Sequence, residues 1–149
     1  MEWKTLLEKA EAMLQENPKD RKGGRLYAQA IGGLGNSVEA LRLITNHLEI
    51  HSDDAQAWDL KSAYLIALER YSDAVAASEQ ALLSDPTFDI AYYNRACALA
   101  HLDREKETID DLKVAIDCDS DLRGFAREDK SFDGLRKHPE FLRLVEPAE

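Results

Sequence analysis

Residues of the same kind return every 34 positions along this chain. Leu6, Ala40, Ala74 and Thr108 are spaced by that interval, and so are Pro18, Ser52, Pro86 and Ser120. His47, Ala81 and Ala115 repeat it, as do Leu48, Leu82 and Ile116. A helical face recurs every three or four residues, which alone would not hold a register of 34 across four segments. Self-similarity at such a period marks a stacked array, in which each unit buries its apolar face against the next.

Within each unit the apolar pattern predicts two helices. Residues 55–88 carry one stripe at Trp58, Leu65 and Leu68 and a second at Tyr71, Ala74, Val75, Ser78, Ala81 and Leu82, with a break at Glu69-Arg70. Pro86 closes the unit, because proline neither donates to the helix ladder nor continues it. Residues 89–122 repeat the plan with Tyr92, Ala96, Leu99 and Leu102, then Ile109, Leu112, Ala115 and Ile116. Residues 21–54 fit it with Tyr27, Ala28, Ile31 and Leu34, then Ala40, Leu41, Ile44 and Leu48. Asn36 and Glu39 have the spacing of a capping box for the second helix there.

The strings Ala57-Trp58, Ala63-Tyr64-Leu65, Tyr71, Ala74, Ala81-Leu82 and Asp85-Pro86 resemble the tetratricopeptide-repeat (TPR) consensus. So does Ala91-Tyr92-Tyr93-Asn94-Arg95-Ala96, followed by Leu99 and Ala115. The resemblance covers residues 21–122 well and the ends partly. It implies an all-α, right-handed TPR solenoid of antiparallel helix pairs. Lys61 stands where the consensus prefers leucine and Ser78 where it prefers an aromatic; Thr108 and His47 replace small alanines. Those departures predict slightly looser interfaces.

A solenoid must cover the apolar faces of its end units. Residues 1–20 form the expected N-terminal capping helix, with Trp3, Leu6, Leu7, Ala10, Met13 and Leu14 on one face, in the register of a second helix whose first helix is missing. Residues 123–149 form the expected C-terminal cap, with Phe125, Phe132, Leu135, Phe141, Leu142 and Leu144 as its apolar set and breaks at Gly134 and His138-Pro139. Three units lie between, at 21–54, 55–88 and 89–122. With both ends covered, the expectation is a complete protein or a complete domain.

The 149 residues carry a net charge of −10, with 44% apolar and 32% charged residues. That balance argues against nucleic acid, whose phosphates require a basic stripe, and against anionic membrane surfaces. Net charge is −2 over 1–20, 0 over 21–54, −3 over 55–88, −5 over 89–122 and 0 over 123–149. No apolar run approaches membrane-spanning length, and the Met1-Glu2-Trp3-Lys4 start is unlike a signal peptide. Cys97 and Cys118 are expected as reduced thiols of a cytoplasmic protein.

The resemblance also implies a concave surface lined by the first helix of each unit. By position it would present Lys22, Arg25 and Gln29, then Asp59, Ala63 and Ile66, then Tyr93, Asn94, Cys97 and His101. Lys22 and Arg25 are the candidate anchors for an acidic group and Tyr93 for an apolar side chain. The alternative working surfaces are the acidic third unit or a self-association face. One TPR subclass grips the acidic tails of chaperones with a clamp of lysines, asparagines and an arginine. Asn94 occupies one clamp position, but Asp59 and Ala63 stand where the preceding unit needs Lys and Asn.

Other chemistries are poorly served. His47 and His51 lie four apart, a spacing able to hold a metal ion with Asp53 or Asp54, but a packing histidine and a solvated one explain them as well. Cys97 and His101 share a helix face without an oxyanion site or an electropositive setting for a thiolate. Gly32-Gly33-Leu34-Gly35-Asn36-Ser37 lacks the Gly-Lys-Ser/Thr of a phosphate loop and follows no strand. Its glycines predict that the first helix of unit one is the softest, either packing closely against a neighbour or adjusting to a partner. The acidic run from Asp110 to Asp121 lacks the glycine and distal glutamate of a calcium loop. The sequence therefore predicts a non-catalytic adaptor or scaffold without cofactor or metal that binds a protein or peptide, with a self-associating structural module as the alternative.

Overall fold

The computed structural model describes residues 2–147; Met1, Ala148 and Glu149, at the outer edges of the two expected caps, lie outside the described residues. The described residues form helices joined by short turns. Helix α1 (Trp3–Glu16) precedes three helix pairs: α2 (Arg21–Gly33) with α3 (Ser37–Ile50), α4 (Ala55–Ala67) with α5 (Tyr71–Ser84), and α6 (Asp89–His101) with α7 (Glu105–Cys118). Helix α8 (Leu122–Glu128), a 3-10 turn (Lys130–Leu135) and α9 (Pro139–Val145) complete it.

The period of 34 is written into the backbone. Each pair reverses through one residue in the left-handed region: Gly35 (φ 96°), Glu69 (φ 60°) and Asp103 (φ 59°). The next amide then reaches back across the turn, Asn36 N to Ile31 O at 3.2 Å, Arg70 N to Leu65 O at 2.8 Å and Arg104 N to Leu99 O at 3.0 Å. These bonds satisfy carbonyls that a helix end leaves free. The second helices end alike: the amides of His51, Asp85 and Asp119, the last two in extended backbone, return to the carbonyls of His47, Ala81 and Ala115. Asn17 ends α1 in the same way, so α1 stands in the register of a second helix, and it packs on α2.

Each helix packs on its sequence neighbour, and α2, α4 and α6 also touch one another in turn, followed by the 3-10 turn. The first helices thus form an inner layer, while α3, α5 and α7 form the outer one. Wholly buried alanines make the close approaches possible, among them Ala28, Ala40, Ala57, Ala74 and Ala115. Asp20 and Asp54 cap α2 and α4 by accepting from Gly23 N (2.6 Å) and Ala57 N (3.3 Å). Asn36 caps α3 through Glu39 N at 3.1 Å, but the Glu39 carboxylate pairs with Arg42 rather than returning to Asn36. Only half of the expected capping box forms.

The departures from consensus are filled by polar pairs rather than by looser packing. Ser78 Oγ meets Ser62 Oγ at 2.7 Å, and Ser62 donates to the Ala74 carbonyl at 3.0 Å. Thr108 Oγ1 donates to the Arg104 carbonyl at 2.8 Å. Lys61 lies over the Trp58 ring, 5.3 Å from its centroid. His47 Nε2 is 2.9 Å from Asp54. The α2 glycines serve close approach: a Cβ on Gly32 would lie 2.5 Å from the Tyr64 ring and one on Gly33 2.1 Å from Trp3.

At the C-terminal end Phe132 and Phe141 are wholly buried with Leu112, Ala126, Leu135 and Val145 against α6 and α7. Arg136 ties the segment together, donating to the carbonyls of Arg127 and Asp129 while lying over the Phe141 ring. Two members of the expected apolar set of this cap face outward instead, Phe125 at 67% exposed and Leu142 at 44%.

Candidate functional site

The inner layer carries one polar joint at each step. Arg25, Asp59 and Tyr93 are 34 residues apart, at the same place in α2, α4 and α6. Each binds a residue at the next step of the inner layer. Arg25 donates to Asp54 at 3.1 Å, Asp59 accepts from Asn94 at 2.9 Å, and Tyr93 donates its hydroxyl to Asp129 at 2.8 Å.

The three joints differ electrostatically. Asp54 is buried, which opposes its ionisation, yet the hydrogen bond with His47 and the charge and hydrogen bond of Arg25 outweigh burial and hold its carboxyl at about 2. Asp59 has only Asn94, so burial, with the charge of Asp89 adding to it, pushes its carboxyl up to about 6. Burial likewise raises the Tyr93 phenol, and its bond to Asp129 adds to the effect.

The sequence-predicted residues therefore divide by role. Lys22 is exposed and makes no ion pair among the described residues. Arg25 is committed to Asp54, which removes it as an open anchor for an acidic group. Gln29, Ala63 and Ile66 are partly buried, Ile66 against the clusters of the second and third pairs. Asp59 and Cys97 are buried, so they build the joint and the core beneath the surface. Burial pushes the Cys97 thiol up, with its Sγ 3.8 Å from Asp129. His101 is turned away from Cys97 and stacks on Tyr71 with ring centroids 4.1 Å apart. His47 and His51 each commit Nε2 elsewhere, to Asp54 and to the Lys19 carbonyl. Tyr93 and Asn94 alone of the ten candidates line an open surface cavity.

That cavity, about 800 Å³, opens between α6 and α8. Ile90, Leu122 and the outward Phe125 give it an apolar lining. Asp121, Glu128 and Asp129 stand on its rim with Arg127. None of these three carboxylates has a cationic partner within ion-pair distance among the described residues. Arg127 is tethered by Nε to the Val145 carbonyl at 2.8 Å.

The fold recurs among solved structures. A thermophilic TPR protein of Thermus thermophilus superposes with a TM-score of 0.81 at 18% identity, over 95% of this chain and 79% of that one. This chain has the TPR fold. MamA from Desulfovibrio magneticus RS-1 gives a TM-score of 0.71 at 18% identity, over 93% of this TPR chain and 81% of that one. The TPR2B domain of yeast Sti1, in a complex with pHsp70, gives 0.65 at 18% identity over 84% and 94%. No protein-family model matches the sequence, and no curated protein matches it.

Sequence reasoning missed Ile90 and Phe125 as surface residues of this TPR array. Phe125 belongs to a cap whose Phe132, Leu135 and Phe141 turn inward, and no periodic signal separates it from them. Ile90 lies one position before the consensus-like string that begins at Ala91, and its 36% exposure follows from the gap between α6 and α8.

Proposed function

We propose that this chain is a non-catalytic TPR adaptor that holds a protein or peptide segment against the inner face of its helix array. In this reading residues 21–54, 55–88 and 89–122 are the three repeats, with 1–20 and 123–149 as caps. The observation that carries it is the open cavity between α6 and α8, whose apolar lining includes the large exposed ring of Phe125. Clefts of this size with a few convergent polar groups are the usual seats of ligands, and anchor side chains in such seats dominate peptide affinity. Solved TPR neighbours include the yeast Sti1 complexes with pHsp70 and pHSP90, which supports peptide recognition as the use of this groove.

The test is a selection of random displayed peptides against the folded protein, followed by amide chemical-shift mapping of a recovered peptide. Shifts centred on α6 and α8, abolished by Phe125→Ser and untouched by Leu83→Ser on the outer helix α5, are the expected outcome. Shifts confined to α3, α5 and α7, or a mass that grows with concentration as a self-associating module requires, would remove the groove from the account.

A further inference from the structure

Resting on that reading, we infer that the occupant of the α6–α8 cavity is an extended peptide segment with an apolar side chain flanked by basic residues. The apolar seat is Ile90, Leu122 and Phe125, and the flanks are set by the carboxylates of Asp121, Glu128 and Asp129. Asp121 and Glu128 bound α8 at its two ends. Seven helical residues span about 10 Å, which an extended peptide crosses in about three residues. Two basic side chains three positions apart, with an apolar one between them, therefore match the seat and its rim.

Charge complementarity selects this occupant over an acidic one. Asp129 already accepts from Tyr93 and from Ser131 N, so it is held rigidly at the edge of the seat. Asp121 and Glu128 have no partner among the described residues that would compete with an incoming cation. Arg127 is the single basic residue of the lining, leaving the rim net negative. Asp89 precedes Ile90 and extends the negative field toward the Asp59–Asn94 joint. An acidic tail entering here would meet like charge along its length, which costs affinity and slows encounter.

The experiment uses three fluorescein-labelled decapeptides in a glycine–serine background. The first has two arginines three positions apart with a leucine between them; the second replaces the arginines by glutamates, and the third replaces the leucine by serine. Anisotropy titrations are run on the wild-type chain and on Phe125→Ser, Glu128→Lys and Leu83→Ser, each first shown to keep its helical content and melting temperature. The expected result is binding of the first peptide only, weakened about tenfold by Phe125→Ser and by Glu128→Lys and not by Leu83→Ser. Raising salt from about 0.05 M to about 0.5 M should weaken it further.

Preference for the glutamate peptide, lost with Phe125→Ser, would overturn the charge assignment while leaving the groove reading standing. Binding that survives Phe125→Ser and is lost with Leu83→Ser would overturn both. Equal binding of the leucine and serine peptides would show a purely electrostatic surface and also sink the inference, as would no binding of any of the three.

Discussion

Asn94 of α6 donates a side-chain hydrogen bond to Asp59 of α4 at 2.9 Å, and Asp59 has no cationic partner among the described residues. This bond joins the second and third helix pairs across the inner layer through a buried carboxylate. The neighbouring joint at Asp54 has the opposite character, with Arg25 and His47 both on its carboxylate. Two buried aspartates at successive steps thus titrate on opposite sides of the ordinary carboxylate value of about 3.9.

For Asp59 the folded carboxyl lies at about 6, above its value in the unfolded chain. The folded state then holds more protons between about pH 4 and pH 6, so stability falls as pH rises through that window. Asp59→Asn should remove this slope and raise stability at neutral pH by about 2 kcal/mol. Asn94 keeps an acceptor in the variant. Urea unfolding at several pH values reads both effects, and an unchanged slope in the variant would place its origin elsewhere.

For Asp54 the carboxyl lies at about 2, below its unfolded value, so its contribution is complete above about pH 4 and is lost as pH falls toward 2. That contribution is about 2 kcal/mol. Asp54→Ala should cost more, about 3 kcal/mol, because it uncaps α4 and strands the half-buried Arg25 and the buried His47. Arg25→Glu should also destabilise strongly, which makes it an unsuitable probe of ligand binding. A variant within about 0.5 kcal/mol of wild type by denaturant titration would contradict the joint.

The three reversals at Gly35, Glu69 and Asp103 share a backbone conformation that suits only one of them. A side chain in the left-handed region costs about 1 kcal/mol or more. Glycine removes that cost but gives back part of it in unfolded-chain freedom. Glu69→Gly and Asp103→Gly should each stabilise by about 0.5 kcal/mol, and Gly35→Ala should destabilise by about 1 kcal/mol. Thermal melts of the three single variants test the set, and a destabilised Glu69→Gly would show that its side chain does more than tolerate the turn.

The helices and their pairing were legible because a 34-residue period is carried by many positions at once, and no single substitution obscures it. Ser78, Thr108 and His47 look like packing flaws in one dimension because their partners Ser62, the Arg104 carbonyl and Asp54 lie 16, 4 and 7 residues away. The site was less legible for the same reason. Arg25 and Asp59 look like groove charges until Asp54 and Asn94, 29 and 35 residues off, are brought against them. Phe125 looks like a core residue because hydrophobicity reports a tendency to be buried, while its actual direction depends on how a seven-residue helix docks.

Helix α2 separates propensity from packing. Alanine is the better helix former by about 1 kcal/mol, so a helix this rich in glycine should gain from Gly→Ala on propensity alone. At Gly32 the added Cβ would lie 2.5 Å from the ring of Tyr64, which is buried and donates to the Ala28 carbonyl at 3.3 Å. Tyr64 cannot swing away without giving up that bond, and overpacking of this kind costs about 1–3 kcal/mol. Gly32→Ala should therefore be destabilising by about 1 kcal/mol net, whereas Gly124→Ala, where no atom lies within 4 Å of the new Cβ, should be stabilising. Paired denaturant titrations decide it: two variants that both gain stability would show that propensity governs α2 and that its glycines are not there for close approach.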